Sequence, residues 1–289
     1  MPRQVLTRLF SVRLVCSIVV VTATCWTASG QQQGSGSVSL TSFTAQYAQD
    51  FNGLVSTSGI SNGTAATLPT GWYFVETGSS ANAFYSTSSG GASAGDTYSY
   101  GPSGNTDRAF GTLLGSNLTP TIGASFTNNT GTAVTGLQIA YFGEQWRHGQ
   151  ADANIDRLDF QYSTDATSLT TGTWTNFDGL DFTTPNIIDS SGALNGNASQ
   201  NRTALTGTIT GLNMSDGATF WIRWSDLNVG GLDDGLAVDD FNITPTPVPE
   251  PATVLAVAAA GLGLAGLVRR LRRNRPTDTA GRAVEGVTG

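Results

Sequence analysis

The sequence predicts an all-β body, an antiparallel jelly-roll-like β-sandwich. Three observations carry that reading. Short β-branched and aromatic runs recur from about residue 70 to residue 243, separated by Gly, Asn and Asp clusters. No stretch among them spaces its apolar residues as a helix would. Both cysteines, Cys16 and Cys25, lie near the N-terminus, so the body relies on its aromatic core and not on disulfides.

Taken in order, residues 1–30 form a secretory signal. Arg3, Arg8 and Arg13 precede the apolar stretch Leu14–Cys25, and Ala28-Ser29-Gly30 supplies small residues for cleavage. Residues 31–43 are polar and Gly/Ser-rich, and predict a flexible lead. The sandwich is placed at residues 44–243. Thr44–Asp50 predicts a helical turn or two at its start. Strands are expected at Trp72–Val75, Ala83–Tyr85, Thr97–Tyr100, Arg108–Leu114, Ile122–Thr127 and Thr135–Phe142. Asn128-Asn129-Thr130-Gly131 supplies the positive-φ positions of a hairpin turn.

Leu158–Tyr162 sends Leu158, Phe160 and Tyr162 to one face, with Trp174–Phe177 as its neighbour. Thr203–Leu212 follows. Thr219–Ser225 is the clearest strand, with Phe220, Ile222 and Trp224 on one face and Trp221 and Arg223 on the other. In Leu236–Ile243 the expected inward set is Ala237, Phe241 and Ile243. Residues 244–251 read as a Pro-rich linker.

The C-terminus has three parts: Pro249-Glu250-Pro251, an apolar run at residues 252–268, and a basic tail at residues 269–289. The tail opens with Arg269, Arg270, Arg272 and Arg273. The run predicts a single membrane-spanning helix, with the arginines held on the cytoplasmic side. This order of Pro-Glu-Pro, short apolar helix and arginine cluster resembles the PEP-CTERM sorting signal of bacterial envelope proteins. The resemblance implies recognition by an exosortase-type transpeptidase that cuts near Pro-Glu-Pro. It also implies transit through the inner membrane to the cell surface or extracellular matrix. In the body, Leu68–Trp72, Asp107–Gly111, Gly143–Arg147 and Gly235–Phe241 are similar to landmarks of secreted bacterial β-sandwich ectodomains, of laminin-G-like and lectin-like character.

Between Gln31 and Pro249 the chain has 5 Arg, no Lys and 18 acidic residues, a net charge of −13. Such a surface repels phosphates and excludes nucleic acid as a partner. No catalytic constellation emerges, and the body is expected to be non-enzymatic. Gly91-Ala92-Ser93-Ala94-Gly95 matches a nucleophile elbow in letters only, because no helix follows it. His148 is the sole histidine and reads as an exposed turn residue.

Two sets of residues are candidate sites. Glu144, Trp146 and Arg147 read either as a loop-fixing ion pair or as a sugar-facing aromatic and polar group, which would bring in extracellular polysaccharide as a partner. Asp226, Asn228, Asp233, Asp234, Asp239 and Asp240, and separately Asp152, Asn154 and Asp156, offer the hard oxygens that Ca²⁺ takes; turn chemistry explains the same residues without a metal. The function expected is a structural or adhesive surface protein, with a carbohydrate-binding module as the alternative and a polysaccharide hydrolase behind it.

Overall fold

The computed structural model describes residues 30–57, 63–150, 155–187 and 190–248. The signal peptide, Pro249-Glu250-Pro251, the membrane run and the arginine tail lie outside the described residues, as do Asp152 and Asn154.

The first sheet is built on β4 (Trp72–Thr77), β8 (Thr119–Asn128), β15 (Thr219–Asp226) and β10 (Arg157–Ser163), in that spatial order. Its outer members are β1 (Gln33–Gly34) beside β4, and β11 (Thr175–Asn176) and β12 (Phe182–Thr183) beside β10. β2 (Val38–Leu40) runs parallel to β8. The second sheet is built on β9 (Val134–His148), β16 (Gly235–Pro247), β7 (Ala109–Leu113) and β6 (Asp96–Tyr100). β5 (Ser86–Ser88) lies parallel to β6, β3 (Tyr47–Gln49) joins β16, and β13 (Gly192–Ala193) and β14 (Arg202–Met214) join β9.

Between the sheets lies an aromatic core. Trp72 and Trp224 stack at 6.0 Å between centroids, and the edge of Phe241 meets both. Alternation in β15 and β10 matches the sequence: Phe220, Ile222, Trp224, Leu158 and Phe160 are core residues, with Tyr162 packed against them. Each sheet also carries a smaller cluster apart from this core. Trp221 packs with Tyr73, Val75 and Leu169, and Trp146 packs with Tyr98, Tyr100 and Ala237.

The structure corrects several local expectations. Residues 31–43 are not a free lead. Val38 and Leu40 alternate around Ser39, are buried, and align with Phe126 and Asn128 of β8. The helical turn expected at Thr44–Asp50 is strand β3, drawn into register with Phe241–Ile243. The cluster Asn128–Gly131 does not close a hairpin but carries the chain from one sheet to the other. The buried Asn128 amide donates to Thr132 O at 2.8 Å and Met214 O at 2.9 Å, fixing an arch in which Gly131 takes φ +82°. Thr244–Pro247 are not linker but the end of β16, aligned with β9 down to Val134.

The faces of β16 also differ from the expectation. The β9–β16 register advances three residues from Asp239 to Asn242 while β9 advances two, from Phe142 to Ala140. This is a β-bulge, with Asp240 at φ +47°. It shifts the alternation by one, so Leu236 and Val238 share the core with Phe241 and Ile243, while Ala237 joins the Trp146 cluster.

Candidate functional site

The described residues among those singled out in the sequence gather around the end of β9 and the start of β16. Gly235 faces Arg147 and Leu236 faces Gln145, so Trp146 has no partner on β16 and forms a second bulge. Trp146 is only 1% exposed and stacks on Tyr100 at 6.1 Å. A Cβ built on Gly196 would lie 2.3 Å from the indole nitrogen, so that loop seats directly on the ring. Trp146 therefore offers no platform to a ligand.

Glu144 is wholly buried and accepts Trp146 Nε1–H at 3.0 Å. Its cationic partner is not Arg147 but Arg202, with Nε 3.6 Å from Oε1. Strand pairing decides this, because Arg202 stands opposite Glu144 across β14 and β9. The Arg202 guanidinium lies 3.7 Å over the Phe142 ring. Burial pushes the Glu144 carboxyl up to about 7. Burial, then the Glu144 charge, pushes Asp239 up to about 9.

The six acidic and amide residues of the β15–β16 region divide. Asp239 and Asp240 belong to the Glu144 group, Asp240 Oδ2 lying 3.6 Å from Arg202 Nη2. Asp226, Asp233 and Asp234 instead meet Asp156 at the strand ends. There carboxylates fasten loops. Asp156 accepts the N–H of Asp234 and its own neighbour Arg157, both at 2.7 Å. Asp234 accepts Gly149 N–H at 2.6 Å and Gln145 Nε2 at 2.7 Å, and pairs with His148 Nδ1 at 3.2 Å. His148 is thus buried at the end of β9, not exposed on a turn. Thr112 donates to Asp226 Oδ2 at 2.9 Å. Asp226 Oδ1 and Asp233 Oδ1 are buried without a hydrogen-bond partner among the described residues. Burial raises Asp226 well above the ordinary carboxyl range, and Asp156 to about 7. Among the described residues no three acidic, His or Cys side chains form a group that could hold a metal ion.

Beside this corner opens a cleft of about 490 Å³. Its polar side chains are Arg147, Asn228, Asp233, Ser93 and Ser116, and Leu113, Leu114 and Leu232 supply the apolar part. Leu232 stands 64% exposed. Arg147 makes one long contact, Nη1 to Gly90 O at 3.4 Å. Among the described residues its remaining donors have no partner, which suits a polar ligand. Arg147 was singled out in the sequence beside Trp146, and Asn228 and Asp233 as calcium ligands; the fold brings these three into one cleft. Ser93 comes from the Gly91–Gly95 loop, where no helix follows. Leu113 and Leu114 fall at the end of the strand expected at Arg108–Leu114, and nothing in the sequence marks Gly115, Ser116 or Leu232 as site residues.

No curated protein matches the chain. Similar solved structures include the CBM22-1 xylan-binding domain from Paenibacillus barcinonensis Xyn10C, at 10% identity and TM-score 0.33, covering 75% of this chain and 99% of that one. TmCBM61 in complex with β-1,4-galactotriose is 9% identical at TM-score 0.31, with 60% and 88% coverage. The K3 cleaved adhesin domain of Lys-gingipain from Porphyromonas gingivalis is 10% identical at TM-score 0.33, with 50% and 78% coverage. These likenesses are too distant to carry an argument about the cleft. The family comparison is specific, and it falls where Pro-Glu-Pro, the apolar run and the arginines stand. Residues 247–273 match the PEP-CTERM protein-sorting motif, so this chain carries the signal of an exported, sorted protein, held in the membrane before processing and recognised by an exosortase.

Proposed function

We propose that the sandwich is a non-enzymatic structural or adhesive body, delivered to the cell surface or extracellular matrix. The observation that carries this reading is the seam at residue 247, where β16 ends and the sorting motif begins. The whole described body is then the passenger of that signal. Hydrolysis of a glycoside takes two carboxyls facing each other across a cleft; among the described residues lining this cleft the acidic one is Asp233. Glu144, Asp156 and Asp234 are buried and engaged in holding loops and side chains. Intact mass of surface-extracted protein tests the reading. Loss of everything after about Pro251 supports it, and a full-length product retained in the cytosol overturns it.

A second reading, a carbohydrate-binding module, is favoured by the cleft itself. The free donors of Arg147, the Asn228 amide and the Asp233 carboxylate are the groups that hold sugar hydroxyls. A glycan array decides it: binding at sub-millimolar affinity supports the module, and a blank array removes it. A Ca²⁺ dependence would draw on the acidic corner, where Asp226 Oδ1 and Asp233 Oδ1 have no hydrogen-bond partner among the described residues. Calorimetric titration with Ca²⁺ tests that dependence, and an absence of both heat and thermal shift ends it.

A further inference from the structure

β14 lies at the margin of the second sheet. Among the described residues its only strand partner is β9, over the register Arg202↔Glu144 to Thr210↔Gly136. Among the described residues no strand pairs with its other edge along those nine residues, about 30 Å of strand, while the turn Asp178–Leu180 packs against it at Gly207. Proteins ordinarily guard such an edge with charge, proline, brevity or a covering element. This one has neither charge nor proline from Thr203 to Ser215. On a body of net charge −13 the strand itself is an uncharged strip.

The order of residues on that strip is self-complementary. The stretch reads Thr203-Ala204-Leu205-Thr206-Gly207-Thr208-Ile209-Thr210. Placed antiparallel against itself about Gly207, it sets Thr206 opposite Thr208, Leu205 opposite Ile209 and Ala204 opposite Thr210. Thr–Thr and aliphatic pairs are favourable cross-strand neighbours. Leu205 and Ile209 belong to the core side, and Thr206 and Thr208 are exposed on the other. A second copy would therefore extend the core side with apolar residues and the outer side with hydroxyls. Gly207 lies on the axis, and the space a Cβ would take there is filled by Leu180 and Phe177 of the same chain.

We propose that the free edge of β14 is a homotypic docking strand, by which two copies of this chain join antiparallel about Gly207 into one continuous sheet. The pairing is isologous, with the same residues contributed by both copies. It is independent of whether the cleft binds sugar.

The test is sedimentation equilibrium of the full-length protein in detergent micelles, using pairs of charges at Thr206 and Thr208. Both positions are exposed, so the fold tolerates the changes. In Thr206→Lys with Thr208→Lys, like charges face each other across the axis, and the dimer should weaken at least about tenfold. In Thr206→Glu with Thr208→Lys, each Glu faces a Lys, and the dimer should persist. A monomeric wild type at tens of micromolar overturns the proposal. So does a dimer that neither pair alters, which would place the association in the membrane anchor, and a dimer that both pairs abolish, which would deny the register.

Discussion

Glu144 and Trp146, two residues apart on β9, are joined side chain to side chain by an Nε1–H···Oε2 bond of 3.0 Å beneath the loop of Gly196. Their role is to hold that loop on the sheet. Trp146→Ala should cost about 3–5 kcal/mol, through the cavity and the orphaned carboxyl. Trp146→Phe keeps most of the volume and should cost about 1–3 kcal/mol for the lost donor alone. Chemical denaturation at pH 6 measures both, and equal costs would contradict this account.

The buried carboxyls give the body an unusual acid bias. Glu76, Glu144 and Asp156 stand at about 7 and Asp239 at about 9, each raised chiefly by burial. A raised carboxyl binds its proton more tightly in the folded chain. Its contribution is whole below the unfolded value of about 4 and is lost as pH rises through the folded one. The denaturation midpoint should therefore fall between pH 5 and pH 9. Asp239→Asn should flatten the upper part of that fall, from pH 7 to 9. The amide oxygen can still accept the Asp240 N–H bond made by Asp239 Oδ1 at 2.8 Å.

Asp226 is buried in the acidic corner, and burial followed by the Asp156 charge raises its carboxyl. Asp226→Asn preserves an acceptor for Thr112 and removes the charge. At pH 8 the variant should be more stable than the wild type, by of order 1 kcal/mol. At pH 5 the two should be nearly alike. A variant less stable at both pH values would show that the carboxyl is needed as a charge.

Arg147→Ala tests the cleft separately from the fold. With only the 3.4 Å contact to Gly90 O to lose, stability should change by less than about 1 kcal/mol. Any glycan signal of the wild type should vanish. Persistence of that signal would move the sugar site elsewhere.

The bulge at Asp240 is conformational. At φ +47° a β-branched side chain is strained, so Asp240→Val should cost about 1–3 kcal/mol. Asp240→Asn should be close to neutral. Paired thermal melts would separate that strain from the loss of the outlying Arg202 contact.

Much of the fold was legible in the sequence because alternation is a local signal. Phe220, Ile222 and Trp224 announce their face without knowledge of any neighbour. The faces of β16 were misread because a bulge is a property of a pair of strands: nothing in Asp239-Asp240 alone says that β16 carries one residue more than β9 there. The opening stretch was misread because two- and three-residue strands are too short to show a period, and only the partners β4 and β8 reveal them. The cleft was half legible. Arg147, Asn228 and Asp233 stood out as polar groups near turns, but no spacing rule joins residue 147 to residue 228. The register Gly235↔Arg147 does that. The partner of Glu144 was missed for the same reason, since Arg202 lies 58 positions away in the chain and opposite in the sheet.

β16 leaves little slack. It stays in register with β9 to Pro247, and Thr135 Oγ1 donates to the Pro247 carbonyl at 2.7 Å. Val248 alone separates that residue from Pro249, a leash of a few ångströms. An enzyme cutting at Pro-Glu-Pro must work against the flank of a folded body or wait for the strand to fray. The cleft opens at the opposite pole of the same strand, thirteen residues and roughly 40 Å away, so the tethered end and the presented end are set by one continuous piece of backbone.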